Sequence, residues 1–279
     1  MSISELVSRI NDAKSRLAAA QTMITDVHTS FGIHLQESLR NFIRIGTVIV
    51  QEVVPALVTN WAENTGDPLA WGVDDWIASQ GDPEYLRNYK NEWVRTHAEN
   101  IQEAAERYGI PPYVLAGVAW TEAGGQPDSL DVFVYSQRDM YPWFDSLDEL
   151  TLPGPLDRLP GSPEETSFGT IQMQIRVAAQ ELGYPDPDNL SKEQELEIAA
   201  KLLVPETNID IVARHLDSLR DHDGFPKDPN QLTDEQIAVI ATRYNRGTDP
   251  SLEDIQANPD YGNSLIRLRN EGLFEDLLN

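Results

Sequence analysis

"GIPPYVLAGVAWTEAGGQP", residues 109–127, is the stretch on which fold and function both turn. Gly109 suits the left-handed end of a preceding helix, and Pro111 and Pro112 suit the first turn of the next. From Tyr113 to Thr121 the side chains are compact and apolar, so the segment reads as a core helix. Leu115, Val118 and Ala119 precede Glu122 by three to seven residues and share its face. That spacing puts a carboxylate on the buried side of a helix, which is unfavourable unless the group is paired or used. A helix C-terminus is also the wrong electrostatic end for an anion. "AGGQP" then breaks the helix. Glu122 is therefore either a helix end reaching water or the acid of a site.

Outward from this point the chain is expected to be mainly α. Val7, Ile10, Leu17, Ile24 and Val27 recur at close to helical spacing, so residues 1 to about 60 read as helices. A Gly-Asp-Pro loop follows in "ENTGDPLAWGVDDW" (63–76), and a second helical pattern runs from Pro83 to Tyr108. The expected division is an N-terminal helical segment, 1–80, serving docking or packing, and a second unit, 81–279. Residues 123–166 are rich in Pro, Gly, Asp and aromatics, with "DVFVY" (131–135) as a candidate extended piece. Helix is expected again at "IQMQIRVAAQEL" (171–182), over 191–222, and at "TDEQIAVIATRYN" (233–245), where Thr233 and Gln236 fit a capping box.

Composition narrows the function. With 46 acidic and 21 basic side chains the net charge is −25, and no basic stripe offers a nucleic-acid surface. Such a field says less about uncharged partners such as sugars, and it would attract a basic protein. There is no cysteine, hence no disulfide framework and no thiolate metal site. The five histidines (His28, His34, His97, His215, His222) form no close-spaced pair for zinc. "DHDG" (221–224) lacks the glycine position and distal glutamate of a calcium loop and reads as a helix-end turn. No cofactor or metal is expected. The most apolar run, "FIRIGTVIVQEVVPALV" (42–58), is interrupted by Arg44, Gln51, Glu52 and Pro55, so no membrane span is expected. "MSISELVSRINDAKSRL" lacks the plan of a secretory signal, and a non-Sec route is the expectation.

Three separated stretches, "AWTEAGG" (119–125), "SFGTIQM" (167–173) and "TRYNRG" (242–247), resemble in order the motifs of the goose-type lysozyme and soluble lytic transglycosylase superfamily. The intervening helical stretch around Asn208 and Ile209 is also similar, and the resemblance covers about residues 100–270. It implies a lysozyme-like α+β catalytic domain over 81–279 that cuts peptidoglycan glycan strands between N-acetylmuramic acid and N-acetylglucosamine. Glu122 would be the general acid, and an apolar setting suits that role by favouring the neutral carboxyl. Ser167 would help orient the acid, Gln172 and Met173 would line the sugar cleft, and Tyr244 with its neighbour Asn245 would approach the acid and form the cleft wall. Taken singly, Ser167 also suits a helix cap and Met173 a core position.

The sequence departs from the family pattern in places. Ala123 stands where a serine is usual, Arg246 replaces a small residue, and 44 residues separate Glu122 from Ser167. That insertion carries Asp128, Asp131, Asp139, Asp145 and Asp148 with Trp143. An inverting hydrolase needs a second carboxylate about 6.5–9.5 Å from the acid. Asp128 and Asp131 are the candidates, and hydrolysis is the leaning. A lytic transglycosylase would need the glutamate alone and would leave 1,6-anhydro ends. A non-catalytic glycan-binding module on the same fold is the alternative outside enzymes. A muramidase acts in the periplasm or cell wall, so delivery as an antibacterial effector through a secretion apparatus, or as a phage-tail lysin, is expected. An immunity protein that plugs the cleft is then the expected partner.

Overall fold

The computed structural model describes residues 71–125 and 162–279, with Leu69, Asp131, Val134, Tyr135 and Arg138. The helices expected within 1–60, the apolar run 42–58, and Asp128, Asp139, Trp143, Asp145 and Asp148 lie outside the described residues. Described residues are mainly helical with one short antiparallel hairpin. No helix among them is long and apolar enough to cross a membrane.

Helix α1 (Val73–Gly81) is followed by α2 (Pro83–Thr96), whose start is capped by Asp82 accepting from the amides of Glu84 and Tyr85. The single helix expected from Pro83 to Tyr108 is two, because His97 leaves helical geometry and α3 (Ala98–Tyr108) restarts beyond it. Gly109 ends α3 at φ 63°, and the next amide, of Ile110, reaches back to the Ala105 carbonyl at 2.9 Å. That is the left-handed cap its sequence promised. α4 (Pro112–Glu122) begins on Pro112 and is buried from Val114 to Ala119 without a break. It is apolar all round rather than on one face, so it runs through the interior. It packs against α2, α3 and the later helices α7 (Pro205–His222), α8 (Asp234–Arg246), α10 (Asp260–Asn270) and α11 (Leu273–Leu278).

Two expected helices are corrected. In "IQMQIRVAAQEL" the first residues belong to a hairpin, β1 (Ser167–Phe168) with β2 (Met173–Gln174), pairing Ser167 with Gln174 and Phe168 with Met173. Helix α5 is confined to Ile175–Glu181. The stretch 191–222 divides into α6 (Lys192–Leu202) and α7. Pro205 opens α7 and holds Val204 extended, as a residue before proline prefers. A third correction concerns "DVFVY": Asp131, Val134 and Tyr135 have helical backbone, as does Arg138. Tyr135 packs edge-on against Phe168 at 6.0 Å and donates to the Glu195 carboxylate at 2.6 Å. Tertiary packing on the hairpin overrides the β preference of a Val- and aromatic-rich run.

Around α8 the expected capping box is present. The Thr233 hydroxyl accepts from the Gln236 amide at 3.3 Å, and the Gln236 side chain accepts from the Thr233 amide at 3.0 Å. At its other end Arg243, 1% exposed, pairs with Asp223 through both Nε and Nη2, the latter at 2.8 Å. The same guanidinium donates to the Pro250 carbonyl at 3.0 Å. The "DHDG" turn is thus a largely exposed helix end from which the Asp223 side chain alone is drawn into an interior ion pair. Short α9 (Leu252–Ala257) then leads to α10, which crosses α8 and α4 closely.

Candidate active site

Glu122 is the last residue of α4, half-buried where that interior helix emerges. Beyond it the chain must turn at once, and Gly124 does so at φ 74°. That left-handed backbone favours glycine, and a Cβ there would also stand 2.4 Å from Leu86 Cδ1, so that side chain would have to shift. Trp71 secures the turn by donating its indole N–H to the Gly125 carbonyl at 2.9 Å.

The hydroxyl that reaches the acid is that of Tyr261, donating to Glu122 Oε1 at 2.7 Å. Its position follows from two small residues. A Cβ on Gly262 would lie 2.0 Å from the Ala238 carbonyl oxygen, and one on Gly117 would lie 2.4 Å from Leu265. Only glycine lets α10 approach α8 and α4 so closely. The Gly262 amide, in the first turn of α10, finds its acceptor in the Thr242 hydroxyl of α8 at 3.1 Å. Tyr261 is therefore carried to the carboxyl by a backbone-level fit.

Burial raises the Glu122 pKa above its ordinary value of 4.5, while the Tyr261 hydrogen bond and the charge of Lys90 act in the opposite direction. Tyr244 lies close enough that burial first and the Glu122 charge second hold its phenol well above the usual range. Burial and Glu122 raise Tyr261 in the same way. Both phenols thus stay protonated and act as donors beside the acid.

Tyr244 donates to the Gln172 backbone carbonyl at 2.9 Å, tying α8 to the loop that joins β1 to β2. The loop itself is clamped by Asn208 of α7, which is fully buried. Its side chain accepts from the Ile171 amide at 3.0 Å and donates to the Ile171 carbonyl at 3.1 Å. Gly169, at φ 85°, lets the loop pass 2.3 Å from the Leu202 carbonyl, measured at the position a Cβ would take. The Gln172 side chain points on to Asp131, donating at 2.8 Å to a carboxylate that is 4% exposed.

The sequence-expected residues are thus placed as follows. Glu122, Gln172 and Tyr244 are brought together, with Asp131 joined to them through Gln172. Ser167 lies on β1, outside any helix cap, and the acid's hydroxyl partner is Tyr261 instead. Met173 is buried in the core at 3% exposure beside Phe168. Asn245 is exposed in the last turn of α8. Two residues of the site were not read from the sequence, Tyr261 and Lys90. The signal for Tyr261 is faint, a tyrosine immediately before a glycine in the first turn of a helix. Lys90 carries no local signal.

Among the described residues no cluster of His, Cys, Asp and Glu could hold a metal ion. No protein-family model, no curated protein and no solved structure matches the chain. Chemically, the arrangement disfavours the Glu122 anion through burial and offers it a phenol donor, so the carboxyl holds its proton more tightly than an exposed glutamate does.

Proposed function

We propose that the chain is a muramidase with a lysozyme-like catalytic domain, cutting the β-1,4 bond between N-acetylmuramic acid and N-acetylglucosamine in peptidoglycan. The observation that carries this reading is the state of Glu122. Its carboxyl is half-buried at the end of an interior helix, raised in pKa, and hydrogen-bonded by a phenol rather than a cation. A buried carboxyl without a bonded cation favours the protonated form, which is the form a general acid needs. The resemblance of "AWTEAGG", "SFGTIQM" and "TRYNRG" to the lysozyme and transglycosylase motifs supports the same assignment.

In the reaction, Glu122 gives its proton to the glycosidic oxygen as the bond to the anomeric carbon breaks. Tyr261 then stabilises the carboxylate left behind. Hydrolysis requires a water at the anomeric carbon and a base to take its proton. Asp131 is the proposed base, supported by its burial and by the Gln172 side chain that fixes its orientation. If the muramyl 6-hydroxyl attacks instead, its proton returns to Glu122 and an anhydro end forms, which is the transglycosylase outcome.

Purified sacculi test the reading. Wild type should release soluble muropeptides and Glu122→Gln should not; full activity in the variant would remove Glu122 as the acid. Mass spectrometry of the products separates the two outcomes, since exclusively anhydro-muramyl ends would exclude hydrolysis. The substrate lies outside the cytoplasm, so the proposal includes delivery to the periplasm of a target bacterium, as an effector or a tail-associated lysin. The segment 1–80 is the proposed loading element, and an immunity protein with a basic insertion would suit the −25 charge. Expression with and without a fused export signal tests this. Lysis only with the signal is expected.

A further inference from the structure

Resting on the reading of Glu122 as the acid, we infer that Lys90 is a positioning residue that fastens the last turn of α4 and keeps Glu122 able to pass between its neutral and charged forms. The geometry is specific. Lys90 Nζ donates to the Thr121 carbonyl at 2.7 Å and to the Trp120 carbonyl at 3.0 Å. These are among the last carbonyls of α4, which have no acceptor role within the helix. The ammonium also lies 5.1 Å from the centre of the Trp120 ring, whose indole N–H is held by Asn91 at 2.8 Å. Two adjacent residues of α2 thus grip two consecutive residues of α4, immediately before the acid.

The charge matters as much as the grip. Burial and the negative end of the helix dipole both disfavour the Glu122 anion. An acid held that way gives up its proton poorly, with the Tyr261 hydrogen bond offsetting only part of the cost to the carboxylate. A cation on the α4 terminus offsets both effects. The coupling is visible from each side: the Lys90 charge lowers the Glu122 pKa, and burial lowers that of Lys90 to about 8 against the raising effect of Glu122. Glu122 is the charge that bears on Lys90; Asp75 of α1, Glu99, Glu103, Glu106 and Arg107 of α3, and Glu275 and Asp276 of α11, on the other helices packed against α2, do not. Glu122 itself is faced by Tyr261 of α10, Tyr244 of α8 and Lys90.

The test uses the full chain with carboxyl-labelled glutamate, Glu122→Gln serving to assign the Glu122 signal. In Lys90→Gln, which keeps a donor but loses the charge, the Glu122 titration midpoint should rise by about one pH unit. Lys90→Arg should leave it near the wild-type value. Asn91→Ala, which frees Trp120 without removing a charge, should not move it. On sacculi, Lys90→Gln should lower kcat roughly tenfold with KM unchanged, and Lys90→Arg should restore it. An unmoved midpoint in Lys90→Gln, or an equal shift in Asn91→Ala, overturns the inference. The titration judges Lys90 even if sacculi are never cleaved, and a failure to cleave them counts against the muramidase reading alone.

Discussion

Two helix ends carry a carboxylate drawn in from solvent, and the two ends are treated in opposite ways. α7 is followed by Asp223, whose side chain is 4% exposed and is gripped by the Arg243 guanidinium. α4 finishes at Glu122, which meets the Tyr261 phenol and has its nearest cation on the backbone carbonyls behind it. At the first end a full positive charge answers a full negative one, and the pair holds α7 to α8. At the second the opposing charge is set back on the backbone, and burial holds the carboxyl's pKa above its ordinary value. The same residue chemistry ties helices together where the charge is matched and leaves a shifted titration where it is not.

The sharpest way to break this contrast is Glu122→Gln, which should lower muropeptide release by about a thousandfold, within the range a positioned general acid contributes. Circular dichroism should show an unchanged fold. Removing the cation from the other end should do the reverse. Arg243→Met strands Asp223 in the interior and should cost about 4 kcal/mol in urea denaturation. Adding Asp223→Asn should recover part of that loss, since the uncompensated charge is then gone.

Tyr261→Phe probes the poised end more gently. The phenol stabilises the Glu122 anion, so its loss should slow cleavage about tenfold, the worth of one hydrogen bond to a charged group. The Glu122 pKa should rise further, moving the alkaline limb of the pH–rate profile to higher pH. The smallest effect is on stability. Because the folded pKa of Glu122 lies above 4.5, the folded chain holds more protons than the unfolded one between those values. Stability therefore falls as pH rises through that interval. Glu122→Gln escapes the penalty and should melt about 2 °C higher than wild type at neutral pH. Below pH 4.5 the two melting curves should converge.

The features legible in the sequence are those that local chemistry decides. Gly109, Pro112 and the Thr233–Gln236 box act on their own few residues, and each is where the spacing put it. Glu122 was legible because an apolar run and a glycine pair flank it directly. The hairpin was not. Met173 and Gln174 sit in a stretch with helical spacing, yet Asn208, far along the chain, pins the loop before them. Val134 and Tyr135 read as extended because nothing nearby says that Phe168 and Glu195 will receive Tyr135. Tyr261 and Lys90 are later still, since each acquires its role only when α10 and α2 are laid against α4. The breaks at His97 and Val204 were read through, although Pro205 was a signal for the second.

The all-round burial of α4 has a consequence for how the molecule should fail. A helix enclosed by six others cannot fray away from them one side at a time, so its amide hydrogens should exchange with solvent only when the surrounding body opens as a whole. Glu122 thus ends an interior helix rather than standing on a surface loop. Should the proposed cleavage be observed, its loss on heating should then coincide with loss of the fold, with no interval in which the chain is folded but idle.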